Sequence, residues 1–235
     1  MSRKSVLLGT GILLLFAGTC AAALLLLLRH EPSFYRRAAV PPGPERQALS
    51  KEFYGDAGTF LLNIKKDPRW DDSFSDVQIN SYLEEDFVTS QVKSLTLPEH
   101  ITDPRVLFES ERIRLGFRYH VGRFSTVVSI DMRVWLAKAE SNVVALEIQG
   151  MRAGALPVSA QSILERLSEA ADSNGIKLSW YRHNGNPVAI LRFQGEQRSS
   201  VVLENLDLHP GRMYVKGQSL ELGAPSVIPA PAATP

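Results

Sequence analysis

The residues whose types and spacing are best suited to chemistry are four basic side chains on one alternating run, Arg112, Arg114, Arg118 and His120. In an extended strand every second side chain points to the same face, so these four form a cationic stripe. Arg133 or Arg123 joins it from the neighbouring strand. Guanidinium forks grip phosphate and carboxylate oxygens in pairs, so the chemistry on offer is non-covalent: contact with a lipid headgroup, an anionic wall polymer or an acidic partner. Asp131, Glu111 and Glu147 fall on comparable faces and supply the plainer alternative, a solvated face neutralised across the strands.

The other reactive residues do not assemble into a catalytic set. Glu84, Glu85 and Asp86 are consecutive on an expected helix, where neighbours point in different directions, so they read as a solvated acidic face. The histidines His30, His100, His120, His183 and His209 never stand at metal-ligand spacing with another His or with Cys. Ser199-Ser200 lacks the glycine setting of a nucleophile elbow, and Gly9-Thr10-Gly11 lies inside an apolar run where no phosphate loop belongs. The sequence therefore predicts no enzyme, no cofactor and no metal.

Net charge is +1 over 235 residues, which argues against a nucleic-acid binder with a broad basic face. The single cysteine, Cys20, precludes an internal disulfide. Residues 6–28 carry no charge and are mostly Leu, Ala and Gly. As a helix, that stretch reaches about 34 Å, enough to cross a hydrocarbon core. The run is long for a cleaved signal peptide, and Ala17-Gly18-Thr19-Cys20 is a poor lipidation motif because Thr precedes the Cys and five leucines follow soon after. Residues 1–30 are thus expected to be a short N-terminus and an uncleaved transmembrane anchor. Arg3 and Lys4 precede the span, while Arg29, Arg36 and Arg37 follow it. A very short basic N-terminus commonly stays in the cytoplasm, which places the soluble part outside it.

Residues 31–45, rich in proline, read as an irregular juxtamembrane linker. Residues 46–222 read as one α+β domain and residues 223–235 as a disordered Pro/Ala tail. Within the domain, residues 47–66 are expected to be helical. A second helix starts at Ser75, with Gln78 in capping-box position and Val77, Ile79, Tyr82, Leu83 and Phe87 on its apolar side. Residues 105–109 suggest a short strand. Residues 112–121, 124–136 and 144–149 then alternate in the period-two pattern of half-buried antiparallel strands. Short connections at Gly122-Arg123 and Glu140-Ser141-Asn142 make them a meander, expected to be curved and covered by an amphipathic helix from Ser159 or Ser162 to about residue 172. Two further hairpins, turning at His183-Asn184-Gly185-Asn186-Pro187 and at His209-Pro210-Gly211-Arg212, are expected to extend the sheet. An apolar groove between sheet and helix would be lined by Phe117, Ile130, Ile163 and Leu167.

Several stretches resemble known envelope proteins. Val77-Gln78-Ile79-Asn80-Ser81-Tyr82-Leu83 has an Asn inside an apolar helical frame, and Leu146-Glu147-Ile148-Gln149-Gly150-Met151-Arg152-Ala153-Gly154-Ala155-Leu156-Pro157 precedes an amphipathic helix. Both are similar to the YpmS-like membrane-anchored bacterial envelope proteins. The closing pair, Val202-Leu203-Glu204-Asn205-Leu206-Asp207-Leu208 and Gly211-Arg212-Met213-Tyr214-Val215-Lys216-Gly217, resembles a hairpin of envelope lipid-handling families, some with tubular lipid-binding folds. The resemblance implies an extracytoplasmic, non-enzymatic module and assigns no functional residue. Two readings stand together: an envelope binding or scaffold module that holds a protein partner, and a domain that holds a lipid or acyl chain in an apolar groove.

Overall fold

The computed structural model describes residues 3–87, 100–137, 142–159, 164, 168, 178–192 and 199–221. It is an α+β protein with an N-terminal apolar helix, α1 (Arg3–Arg29), followed by antiparallel sheets that do not close. The alternating run folds as its pattern dictates. Strands β2 (Ile101–Glu109), β3 (Arg112–Val121), β4 (Phe124–Leu136) and β5 (Val143–Ala153) pair in sequence order as a meander. Val121 faces Phe124 across the two-residue loop, where Gly122 takes a φ of +59°. A short β6 (Leu156–Pro157) folds back on β5. Strand β8 (Asn186–Arg192) pairs with β5, and β7 (Leu178–His183) forms the outer edge.

The last hairpin departs from expectation. Strands β9 (Ser199–His209) and β10 (Arg212–Glu221) do not extend the meander. They form a second, three-stranded sheet with β1 (Arg69–Ser75), a strand the sequence pattern did not announce. The reason is visible in the side chains. β9 and β10 present Leu203, Leu206, Leu208 and Met213 to the apolar face of the meander at Val106, Phe108, Val134 and Val144. Adding them edgewise would leave that face wet, whereas stacking buries both. In β1, only Trp70 and Phe74 are apolar, too few for a period-two signal. Gly217 on β10 makes room for Trp70, whose Nε1 donates to Ser219 Oγ at 3.1 Å.

Helix α3 (Pro44–Lys66) seats Phe53 and Phe60 against Phe74 and Trp70, with ring centroids 5.4–5.8 Å apart. The one-turn α2 (Ser33–Arg37) lies in the segment expected to be an irregular linker. Helix α4 (Asp76–Tyr82) starts with the expected capping box: Gln78 N–H donates to Ser75 Oγ, and Ser75 N–H to Gln78 Oε1, both at 3.1 Å. A π-helical turn over Leu83–Phe87 continues it.

Two asparagines close sheet edges. Asn80 of α4 donates to Val106 O at 2.7 Å and accepts from Val106 N–H at 2.8 Å, while Asp76 accepts from Phe108 N–H at 3.2 Å. Asn142 accepts from Leu203 N–H at 2.7 Å and donates to Val201 O on β9. An unpaired strand edge templates aggregation, and a side-chain amide that fills both backbone valences removes the template. Of the cover expected at residues 159–172, Ser159 is described and not helical, Leu164 and Ser168 are described and helical, and the rest lies outside the described residues, as do residues 138–141 of the β4–β5 connection and the tail.

Replacing Asn80 by Ala strands a buried donor and a buried acceptor, so equilibrium unfolding is expected to lose about 2 kcal/mol or more. A loss below about 0.5 kcal/mol would show that the edge finds other partners.

Candidate functional site: the joint between helix and sheet

The cationic stripe is where the chain leaving α1 lands. Leu28 O at the end of α1 accepts from Thr126 Oγ1 at 2.6 Å, and Leu27 O from Ala155 N–H at 2.8 Å. Helix ends leave carbonyls without intrahelical partners, and here the sheet supplies donors for two of them. Gly154, with a φ of +61°, permits the approach, because any Cβ there would collide with the Leu27 and Leu28 carbonyls. The chain then runs over the arginine face. Phe34 and Tyr35 of α2 are buried against Val127 and Leu107, Tyr35 completely (0% exposed). Gly116 is the reason they fit: a Cβ there would stand 2.6 Å from the Tyr35 ring.

Tyr35 is tied down on every side. Its hydroxyl donates to Asp103 O at 2.7 Å, its carbonyl accepts from Arg105 Nη1 at 3.1 Å, and the Arg105 guanidinium lies 4.4 Å from the ring centroid. Burial pushes the phenol up to about 12, against the pull of Arg105, so it remains a protonated donor at neutral pH.

This face places the expected anion-binding residues as follows. Arg114 Nε lies 3.1 Å from Asp131 Oδ1 and 3.4 Å from Glu109 Oε2, close enough for ion pairing though not aligned for a hydrogen bond. Arg118 lies 3.4 Å from Glu31 and 3.5 Å from Asp103. His120 Nε2 is 2.9 Å from Thr102 Oγ1. Arg112 is exposed at the far end of the strand, opposite Arg133, which pairs with Glu111 at 3.1 Å. A lipid phosphate reaching Arg114 or Arg118 would have to displace carboxylates of the chain itself.

The acidic run is not the solvated face its spacing suggested. Glu84 meets Arg46 at 2.7 Å and Arg105 at 3.1 Å, Glu85 meets Arg46 at 2.6 Å, and Asp86 accepts from Ser50 Oγ. The cause is the π-helical turn together with α3, which brings Arg46 and Ser50 alongside, neither of them adjacent in sequence. A continuous chain of polar contacts thus links Tyr35, Arg105, Glu84 and Arg46.

The expected groove residues divide. Phe117 and Ile130 belong to one apolar cluster with Val128, Ile148 and Met151, against which Leu164 and Trp180 pack, and Ile130 is 2% exposed. Ile163 and Leu167 lie outside the described residues. Two sizeable hollows lie elsewhere. A cavity of ≈ 870 Å³ lies between the proline run Pro41-Pro42-Gly43-Pro44 and Val77, Leu107 and Phe108. Another, of ≈ 790 Å³, separates Trp135 and Leu136 from Leu203 and Leu206. Among the described residues, no group of three His, Cys, Asp or Glu side chains is placed to hold a metal ion.

No family model, curated protein or solved structure matches this chain. The reading of the site therefore stands on its geometry.

The joint was missed in the sequence because prolines masked it. Two signals were present: adjacent aromatics, Phe34-Tyr35, inside a supposed linker, and Gly116 interrupting a strand face otherwise lined with long side chains. A glycine within a strand often marks the close approach of another element.

Tyr35→Ala is expected to cost about 3 kcal/mol in the full chain. Gly116→Ala should also destabilise, yet far less in the Tyr35→Ala background, where the obstructing ring is gone. Additive losses in that double-mutant cycle, measured by urea unfolding, would contradict the contact.

Proposed function

We propose that the chain is a single-pass membrane-anchored protein whose domain lies outside the cytoplasm and serves as a non-enzymatic binding or scaffold module of the cell envelope. Helix α1 is long and apolar enough to span a bilayer, and none of its most apolar stretch is buried against the domain. The similarity of residues 77–83 and 146–157 to YpmS-like envelope proteins fits the same placement.

One observation carries the scaffold reading over the lipid-carrying one, and it is the division of α3. Its inner side holds Phe53 and Phe60 against β1, while its outer side leaves Tyr54, Leu61 and Leu62 at 71%, 59% and 53% exposure. Residues 54, 58, 61 and 62 recur at helical spacing, so Gly58 lies between the exposed side chains as a flat, small-residue floor. Exposed large apolar side chains sharing one side of a helix suit an interaction face, here bordered by the exposed Lys51 and Lys65. The sheet surface proposed for an acyl chain is instead occupied at Phe117 and Ile130 by neighbouring side chains.

A photo-crosslinking residue at Leu61 of the full chain, in cells, is expected to give one discrete protein adduct. Leu62→Lys should abolish it without lowering the melting temperature. Absence of any adduct, together with stoichiometric lipid in native mass spectra that Phe117→Lys removes, would overturn the reading in favour of acyl-chain binding.

A further inference from the structure

We infer that the β3–β4 hairpin tip, Val121-Gly122-Arg123-Phe124, is a second membrane contact that dips into the headgroup layer of an anionic bilayer beside α1. This rests on α1 crossing that bilayer.

The order of contacts along the strands sets the direction. Leu28 meets Thr126, Glu31 meets Arg118, and Phe34 and Tyr35 meet Gly116. Val127 pairs with Arg118 and Ser129 with Gly116, so each step of the chain climbs the sheet away from the helix end. The cleft beside residues 38–46 reaches Phe108 and Glu109 of β2, which pair with Ile113 and Arg112 at the end of β3 far from the hairpin tip. The chain climbs in one direction from Thr126, and the hairpin runs in the other. Three residues separate Thr126 from Arg123, so the tip lies about 10 Å along the strand from the contact with the helix terminus, on the side opposite to the path of residues 31–35.

The tip has the chemistry of an interfacial contact. Val121 is 60% exposed, Phe124 is half-buried, and Arg123 stands exposed between them. Arg29 and His30, also exposed, are on the helix terminus itself, so the rim combines apolar side chains with cationic ones. Apolar groups favour the acyl boundary while Arg and Lys gain from anionic headgroups and from snorkelling. The clasp at Thr126 and Ala155 fixes the depth: the tip cannot swing away without breaking the bonds that hold α1.

The test uses the full chain in nanodiscs containing phosphatidylglycerol, with the fluorophore NBD placed by cysteine chemistry and with quenching by doxyl-labelled lipids. In a Cys20→Ser background, NBD at Val121→Cys should emit as in a partly apolar medium. Shallow doxyl groups should quench it about threefold more strongly than NBD at Ser110→Cys, at the opposite end of β3 roughly 30 Å away. Adding Arg123→Glu should reduce that quenching. Equal, water-like behaviour at 121 and 110 would overturn the hairpin contact. NBD on native Cys20 separates the two levels of the account. Quenching there by deep doxyl groups with none at 121 leaves the anchor standing and rejects the hairpin contact, whereas no quenching at Cys20 rejects both.

Discussion

The approach of the Leu27–Leu28 backbone to Gly154 sets the position of the chain that follows. A helix of apolar residues ends with unpaired carbonyls, and those carbonyls must meet donors where the chain enters a polar setting. Thr126 and Ala155 provide donors within a strand and a turn already fixed by the meander. With the helix end held there, the next residues have one path, across the arginine face of β3. Gly116 opens that path to an aromatic ring that would otherwise collide with the strand.

The second consequence is electrostatic. Arg105, bonded to the Tyr35 carbonyl, also meets Glu84, which meets Arg46 of α3. The packing of α2 on the sheet and of α3 on the π-helical turn are thereby coupled through largely buried charges. Removing one partner from such a set leaves another charge uncompensated, which makes the set a determinant of geometry more than of net stability. The outer side of α3, with Tyr54 and Leu61 in solvent, is held at a fixed position relative to α1 by the same contacts.

Much of this was legible in the sequence, and the reasons differ by element. Strands β3, β4 and β5 followed from their period-two alternation, because one apolar face and one mainly polar face leave a single register. The α4 start followed from Ser75 and Gln78, whose reciprocal bonds are local in sequence. What depends on distant partners was not legible. The stacking of β9 and β10 with β1, instead of edgewise extension, is decided by tertiary burial of Leu203, Leu206 and Leu208. Glu84 and Glu85 read as a solvated face because Arg46 and Arg105 lie 38 and 21 residues away from Glu84. Asp131 and Glu111, legible from the alternation as partners for the arginine face, do meet Arg114 and Arg133, whereas Glu31 and the aromatics Phe34 and Tyr35 come from the segment read as a linker.

The central claim is that α1 and the sheet form one rigid body joined at Gly154, Thr126 and Tyr35. Cys20, the chain's only cysteine, lies exposed on α1 and offers a natural site for one spin label. A second at Ser110→Cys, on the turn between β2 and β3, reports the far end of the sheet. Pulsed dipolar spectroscopy on the full chain in nanodiscs should give a single narrow distance distribution that broadens when Tyr35 is replaced by Ala. A broad distribution in the unaltered chain would contradict the joint and return residues 31–45 to the reading of an irregular linker.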